Sequence, residues 1–218
     1  MTSMEETIHH HIGDDLLMGY SAGTLPEAFS LMVAAHLSLC DTCRAAVAAY
    51  DAVGGALIED DGVEMTEGSI EHALARIELA SAPEPVPERK RCAVLPAPLA
   101  DYVGGDLASV KWRPVGMGVR QAILPTSGKA TARLLYIPAG ASVPDHGHGG
   151  RELTMVLQGA FSDEIASFAR GDVETADESI VHTPIADVGA DCICLAVTDA
   201  PLRFRSLIPR LIQPFLKI

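Results

Sequence analysis

The sequence predicts an α + β protein of two domains, an all-α domain followed by an all-β domain of the sandwich or barrel type. A proline-rich stretch at residues 82–98 divides the chain, and the residue types differ on its two sides. Ala, Leu, Met and Glu dominate before it, whereas Val, Ile, Gly, Pro and Thr follow it in short blocks separated by turn residues. We therefore place the domains at residues 1–81 and 99–218, joined by a stiff, extended linker.

Four helices are expected in the first domain. Thr24, Pro26 and Glu27 have the pattern of a capping box with proline in the first turn, and apolar residues follow them at helical spacing. Gly54 and Gly55 weaken the helix that comes next. Short helices of this kind are stable only when they bury one another's faces or the face of a partner. The expected helices run over residues 14–22, from residue 26 onwards, over 41–57 and over 69–80.

The second domain contains a series of strand candidates, and turn residues separate most of them. Strands this short, with no helix between them, are typical of an all-β sandwich or barrel. The candidates cover residues 121–124, 132–137, 152–159, 160–168, 172–176, 179–182, 192–197 and 201–207.

The negative charge of the chain is concentrated in its first 80 residues. The formal net charge is −13, and residues 1–80 hold 14 acidic side chains against only two basic ones. The rest of the chain is nearly balanced, with 15 acidic and 14 basic side chains. Because phosphate would repel so acidic a segment, we expect no direct contact with nucleic acid and favour a basic protein partner. Solubility alone is the plainer explanation.

Cysteine usage and hydropathy indicate the compartment. No stretch approaches the roughly 20 apolar residues that span a bilayer, and the acidic N-terminus does not resemble a signal peptide. The five cysteines are odd in number and scattered, which is atypical of a disulfide framework. We therefore expect a cytoplasmic protein without membrane contact. Cys192 and Cys194 would face the same side of one strand, as a buried core pair or, alternatively, as a redox pair.

The first candidate metal site has the spacing His-x3-Cys-x2-Cys. It is formed by His36, Cys40 and Cys43, and offsets of four and three residues place these side chains on one face of a helix. Two thiolates and an imidazole suit zinc, whose structural sites are tetrahedral. As fourth ligand we prefer His11 to the two histidines before it, because it lies nearest the first helix. Without a metal, these residues would be packed core side chains.

The second candidate site matches the first motif of the cupin family. Gly140, His146, His148, Glu152 and Gly159 occupy every position of that motif. The two histidines alternate along one strand and so point to the same side, into the barrel. Two imidazoles and a carboxylate form a site for a divalent metal with open coordination positions. The plainer explanation is that the histidines are exposed turn residues.

The second cupin motif supplies one further histidine. His182 is in register with that motif, and we assign it as the fourth ligand of the barrel site. The family's usual proline, glycine and later asparagine are replaced by Asp177, Ser179 and Ala186. The hairpin around His182 therefore departs from the family's pattern. Cupins commonly use iron, manganese, zinc or nickel at such sites.

Together, the two sites resemble the ChrR type of anti-sigma factor over nearly the whole chain. In that family a zinc-binding anti-sigma domain is fused to a cupin-like domain. The resemblance implies that His11, His36, Cys40 and Cys43 hold a structural zinc, and that the cupin metal is also zinc. It implies further that residues 1–81 wedge between the two DNA-binding domains of an extracytoplasmic-function sigma factor and block its contacts with RNA polymerase.

Two functions remain open for the barrel. As a regulatory module, it would release the sigma factor in response to a stress signal, which the resemblance suggests is singlet oxygen or an organic hydroperoxide. As a metalloenzyme, such as a dioxygenase or isomerase, it would need acid–base groups beside the metal. Asp163 and Glu164 are the nearest acidic pair, and we expect them on a solvated hairpin. We therefore favour regulation and assign no catalytic residues.

Overall fold

The computed structural model of the chain describes residues 7–60, 62–80 and 92–204. Over these residues an α-helical part is followed by a β barrel, which confirms the predicted fold class. A short 3-10 helix, Leu107–Ser109, leads into the barrel. The α-helices are α1 (Asp14–Ser21), α2 (Glu27–Leu37), α3 (Asp41–Asp60), α4 (Ser69–Leu79) and α5 (Ala97–Val103).

The strands of the barrel are short and pair antiparallel. They are β1 (Arg113–Gly116), β2 (Val119–Ile123), β3 (Thr131–Ile137), β4 (His146–Gly147), β5 (Glu152–Gln158), β6 (Ala160–Ser162), β7 (Ser167–Ala169), β8 (Val173–Ala176), β9 (Val181–His182), β10 (Ile185–Ala186), β11 (Cys192–Thr198) and β12 (Arg203–Phe204). The largest sheet has the order β1-β2-β3-β11-β5-β8. Two three-stranded sheets, β10-β6-β7 and β12-β4-β9, accompany it.

Some elements differ from those expected. The strand predicted over residues 160–168 is two strands, because the Asp163 side chain accepts hydrogen bonds from the backbone N–H groups of Ile165 and Ala166 and so closes a turn. Strands β1, β4 and β10 and helix α5 were not predicted. Gly54 and Gly55 do not interrupt α3.

Glu27 does not act as part of a capping box. The hydroxyl of Thr24 donates instead to the Gly19 carbonyl, and Glu27 accepts hydrogen bonds from the Tyr102 hydroxyl and from the Ser127 backbone N–H. These two hydrogen bonds hold the pKa of Glu27 down at about 2. Glu27 therefore ties α2 to α5 and to the barrel rather than to its own helix.

The predicted linker and the last strand lie partly outside the described residues. Residues 82–91 and 205–207 belong to those parts of the chain. At the end of the linker, Leu95 is buried in the main hydrophobic core, and Pro96 caps α5. The described end of the linker is therefore packed against the protein, not extended through solvent.

The six-stranded sheet separates two apolar clusters. Because neighbouring residues on a strand point to opposite faces, Ile193, Leu195 and Val197 of β11 face one cluster, while Cys192 and Cys194 face the other. The same alternation holds along β2, β3 and β5. One face of the sheet thus lines the barrel interior, and the other is covered by helices.

Helix α2 lies between the sheet and the other helices. It contacts β3, β5 and β11 on one side and α1, α3 and α5 on others. A helix in this position has to be apolar nearly all round, and α2 buries Phe29, Leu31, Met32 and Val33 on different faces. These residues share a single core with Leu134, Leu153 and other sheet residues. The helical and β parts are therefore joined by a continuous apolar interface.

No single helix of the described residues is long and apolar enough to cross a membrane. Helices α2 and α3 meet that criterion only as a pair, and the chain bends by 120° between them.

We expect Met32→Ala to destabilise the helical and β parts together, by about 2–5 kcal/mol, because it opens a cavity in the shared core. Urea unfolding followed by far-ultraviolet circular dichroism and by fluorescence of Trp112, the single tryptophan, should give one shifted midpoint for both signals. Leu74→Ala on the exposed face of α4 is the control and should change stability by less than about 0.5 kcal/mol. An unchanged tryptophan transition in Met32→Ala would show that the two parts unfold independently.

Candidate metal centres

The structure brings the predicted ligands of the helical part together. The ligand atoms of His11, His36, Cys40 and Cys43 all lie within 4.8 Å of one another. The His11 Nδ1 atom is 3.3 Å from the Cys40 sulfur and 3.6 Å from the Cys43 sulfur, and the His36 Nε2 atom is 3.3 Å from the Cys43 sulfur. Tetrahedral zinc bonds of about 2.0–2.3 Å place neighbouring donor atoms about 3.3–3.8 Å apart. The cluster therefore fits a zinc ion closely.

A hydrogen bond from the barrel orients His36. Its Nδ1 atom lies 3.0 Å from the carbonyl oxygen of Gly171, in the turn between β7 and β8. Since a carbonyl only accepts, Nδ1 carries the proton, and Nε2 is left to face the two sulfurs. Burial lowers the pKa of His36 to about 4. The imidazole is thus held neutral, in the tautomer that a metal requires.

Burial has the opposite consequence for Cys43. Together with the neighbouring Cys40, it raises the pKa of the Cys43 thiol to about 11. Two thiolates are costly in this buried position unless a cation compensates them. Metal binding therefore supplies the charge that this cluster needs, and it releases protons as it does so.

Asp172 fixes the segment that carries His11. This carboxylate is buried, and one of its oxygens accepts hydrogen bonds from the backbone N–H groups of His9 and His10, at 2.7 and 2.8 Å. The other oxygen accepts from Ala169. The His10 carbonyl accepts in turn from the N–H of Val173. Residues 9–10 are therefore anchored to the barrel immediately before His11.

The choice among the three N-terminal histidines follows from this anchoring. The His10 ring packs against Phe168, at a centroid distance of 4.6 Å, and so faces the barrel. Among the described residues only His11 joins the cluster of His36, Cys40 and Cys43.

Three histidines meet inside the barrel. His146, His148 and His182 are buried, and each offers a ring nitrogen within 4.8 Å of the others. His146 and His182 are brought together by pairing of β4 with β9. The Glu152 carboxylate begins β5, and its oxygen lies 3.5 Å from His148 Nδ1. All four residues predicted from the cupin motifs therefore converge on one place.

Hydrogen bonds and burial set the state of the ring nitrogens in this cluster. His146 Nδ1 lies 2.8 Å from the Pro144 carbonyl oxygen, so it donates and Nε2 is the unprotonated nitrogen, the form that binds a metal. His182 Nε2 and both ring nitrogens of His148 are buried without a hydrogen-bond partner among the described residues. Buried polar atoms are rarely left in this way. The donor set fits a divalent metal ion.

Two acidic residues that the sequence analysis did not assign hold His182. Its Nδ1 atom lies 3.0 Å from an Asp163 oxygen and 2.9 Å from a Glu174 oxygen. Burial lowers the pKa of His182, but these two carboxylates outweigh that effect and raise it to about 9. The expectation that Asp163 lies on a solvated hairpin is wrong, since its side chain is fully buried against His182. Side chains alternate along β8, and this period-two pattern in the sequence could have identified Glu174 as a residue that points into the barrel.

A cavity of about 300 Å³ opens beside the three histidines. Its wall is largely apolar, and it also includes His146, Glu152, His182 and Arg133. Arg133 is buried, with 5% of its surface exposed. Other residues of the wall are Leu135, Ile137, Val143, Phe161 and Cys194.

The cysteines of β11 form a buried pair, and Cys194 of this pair lines the cavity. Their sulfurs are 3.5 Å apart, and both thiols are free. The hydrogen bond from Cys192 and burial raise the pKa of Cys194 well above its usual value. Cys194 is therefore a neutral thiol, as expected of a core pair.

A helical module with a two-histidine, two-cysteine cluster is joined to a barrel with a three-histidine cluster, and this defines a protein of the cupin class with two candidate metal centres. Comparison with known proteins narrows this class. A family model described as the ChrR cupin-like domain matches residues 101–201. The chain is 59% identical over 213 residues to the anti-sigma-E factor ChrR of Cereibacter sphaeroides, an alignment that covers 97% of this chain and 100% of that protein.

A solved structure gives the same result. The crystal structure of Rhodobacter sphaeroides SigE in complex with the anti-sigma ChrR matches with a TM-score of 0.79 and 57% identity, covering 88% of this chain and 100% of that one. The chain belongs to the ChrR family of anti-sigma factors.

We expect Asp172→Asn to weaken metal binding at the helical centre about 10- to 100-fold, because its one amide oxygen cannot accept from residues 9–10 and from Ala169 at the same time, and its NH₂ group faces a backbone N–H in either orientation. Titration with Co²⁺ in the full chain should report this directly, since sulfur-to-cobalt charge-transfer absorbance arises only where cysteines bind the metal. Asp177→Asn, at an exposed turn, is the matched control. Equal Co²⁺ affinity in both variants would contradict the anchoring role.

Proposed function

We propose that this protein is an anti-sigma factor that binds a sigma factor through residues 1–81 and releases it when the cupin domain, residues 99–218, receives a stress signal. The observation that carries the proposal is the 59% identity to an anti-sigma factor along that protein's entire length. The first half of the proposal concerns the binding surface, and the second concerns release.

The end of α3 and the whole of α4 offer an unpartnered apolar surface. Ile70, Leu74 and Ile77 recur at helical spacing on α4, and each is more than half exposed. On α3, Leu57 and Ile58 are exposed in the same way. Large exposed apolar surfaces of this kind mark protein-binding sites. We infer that these two helices bind the sigma factor.

Charge supports the same partner. The 14 acidic side chains of residues 1–80 would attract the basic surfaces that a sigma factor uses to contact DNA. Because such attraction is screened by salt, association should be faster at low ionic strength. The acidic residues would compete with DNA for the basic surface of the sigma factor, and this competition would contribute to inhibition of the sigma factor.

The helical zinc centre has a structural role in this proposal. His11, His36, Cys40 and Cys43 join the N-terminal segment, α2 and the start of α3. A zinc ion at this junction would fix how α3 leaves α2, and so the direction in which the sigma-binding surface projects. Closed four-ligand sites of this composition stabilise folds rather than catalyse reactions.

A continuous set of contacts runs from the barrel centre to the helical centre. His182 is held by Glu174 of β8. Two residues earlier on the chain, Asp172 anchors residues 9–10, and the adjoining Gly171 carbonyl accepts from His36. Movement of β8 after a change at the barrel metal would therefore act on both histidines of the helical centre. We propose that release of the sigma factor follows this route.

The signal in this proposal is singlet oxygen or an organic hydroperoxide. Imidazole rings react with such oxidants, and the cavity brings His146 and His182 together. A bound zinc ion, or alternatively manganese, iron or nickel, would keep these imidazole rings neutral and in a fixed orientation. The family relationship favours regulation over a metalloenzyme function for the same centre.

We expect Ile77→Asp to weaken sigma binding at least tenfold, because it places a charge in an apolar contact. Affinity of the full chain for its sigma factor, measured by surface plasmon resonance, provides the test. His72→Asp is the matched control, since it adds the same charge on the opposite side of α4. If both variants bind as the wild type does, α4 is not part of the interface.

We expect His146→Ala to leave sigma binding intact and to blunt release, because it removes a barrel ligand without touching the helical centre. The readout is a sigma-dependent reporter in cells exposed to a photosensitiser and light, with Glu164→Ala as control. Glu152→Ala should behave like His146→Ala. Full induction in both ligand variants would refute the sensor role while leaving anti-sigma activity standing.

A further inference from the structure

The barrel interior holds a positive charge that the metal site does not explain. Arg133 lies on β3, and it points inward because Ala132 and Leu134 on either side of it face the helix-covered core. It is 95% buried, and it lines the cavity beside the histidines. A charge in such a place is costly unless it is compensated.

The described residues compensate Arg133 only in part. Its guanidinium donates to Gln121 Oε1 at 3.3 Å and to Thr131 Oγ1 at 3.1 Å. Neither acceptor carries a charge. Burial lowers the pKa of this guanidinium and the attraction of the Glu152 carboxylate opposes that effect, but no ion pair joins Arg133 to a carboxylate in the described part of the chain. A guanidinium has five N–H donors. Donors therefore remain for an anionic group that enters the cavity.

The rest of the cavity fits an aliphatic chain. Leu135, Ile137, Val143 and Phe161 contribute to its largely apolar wall. Its volume of about 300 Å³ is at the lower end of the range for small-molecule sites, about 300–1,000 Å³. Met117 lines the cavity and is also largely exposed, so the cavity reaches solvent at the turn between β1 and β2.

The other charged residues of the cavity wall limit how much negative charge the bound group can carry. Glu152 and Glu174 also line the cavity, and two carboxylates would repel a head with a double charge, such as a phosphate monoester. A single negative charge with two coplanar oxygens matches one guanidinium fork. These constraints select a monocarboxylate.

We propose that the barrel cavity binds an aliphatic monocarboxylate, with its carboxylate on Arg133 and its hydrocarbon chain against the apolar wall. This site is separate from the sigma-binding surface, and its occupancy does not depend on anti-sigma activity. It places an organic ligand directly beside the three histidines, where a metal ion with an open position would also meet it.

Equilibrium binding to the full-length chain tests the proposal. Straight-chain carboxylates from butanoate to dodecanoate are titrated by isothermal calorimetry, with the metal retained and again after chelation. Octanol and octylammonium serve as uncharged and cationic analogues. We expect saturable binding of the carboxylates near octanoate, and at least tenfold weaker binding of both analogues.

Variants assign the binding to the guanidinium. Arg133→Gln should weaken carboxylate binding about 10- to 100-fold, as expected for loss of a charge-assisted hydrogen bond. Arg120→Gln, on the neighbouring strand with its side chain outside the barrel, should bind as the wild type does. If Arg133→Gln fails to fold, Arg133→Lys keeps the charge without the bidentate fork, and it should bind several-fold more weakly.

Three results would overturn the proposal. The first is that no carboxylate of the series saturates the wild-type chain. The second is that octanol binds as tightly as octanoate, which would indicate an apolar cavity only. The third is that folded Arg133→Gln or Arg133→Lys binds octanoate with wild-type affinity, which would assign the carboxylate to the metal instead.

Discussion

The structure depends on the burial of α2 against the outer face of the six-stranded sheet. This contact places the turn between β7 and β8 beneath the start of the chain, so that Gly171 meets His36 and Asp172 meets residues 9–10. Gly171 has a φ of 91°, and a side chain there would collide with Ile8 at 2.6 Å. The close approach therefore requires glycine at this position.

Both metal centres use the same physical device. Each buries imidazoles and fixes their tautomers with hydrogen bonds from the far ring nitrogen, to a carbonyl at His36 and His146 and to carboxylates at His182. The surroundings of the two centres differ. At the helical centre His11 is exposed and the other three ligand residues are buried, whereas the barrel centre opens on a cavity where a further ligand has room.

Some helices bury their apolar residues and others leave them exposed, and this difference suits a regulatory protein. Helix α2 packs its apolar residues against the barrel, and α1 packs against α2 and α3. The apolar residues of α4 and of the end of α3 are exposed, and it is these helices that we propose to bind the sigma factor. The segment around the helical metal centre connects the barrel to these helices, since α3 begins there.

The sequence by itself determined the fold class, the spacing of His36, Cys40 and Cys43 and the cupin ligands, because these depend on local periodicity and on motifs a few residues long. The position of His11 nearest the first helix favoured it over its neighbours, and the tertiary structure places it in the cluster. Only the tertiary structure brought Asp163, Glu174 and Asp172 to the histidines and the segment that they hold. The sequence separation of 163 residues between His9 and Asp172 explains why. Contacts at that distance are set by how the sheet and α2 pack, and local pattern carries no record of that packing.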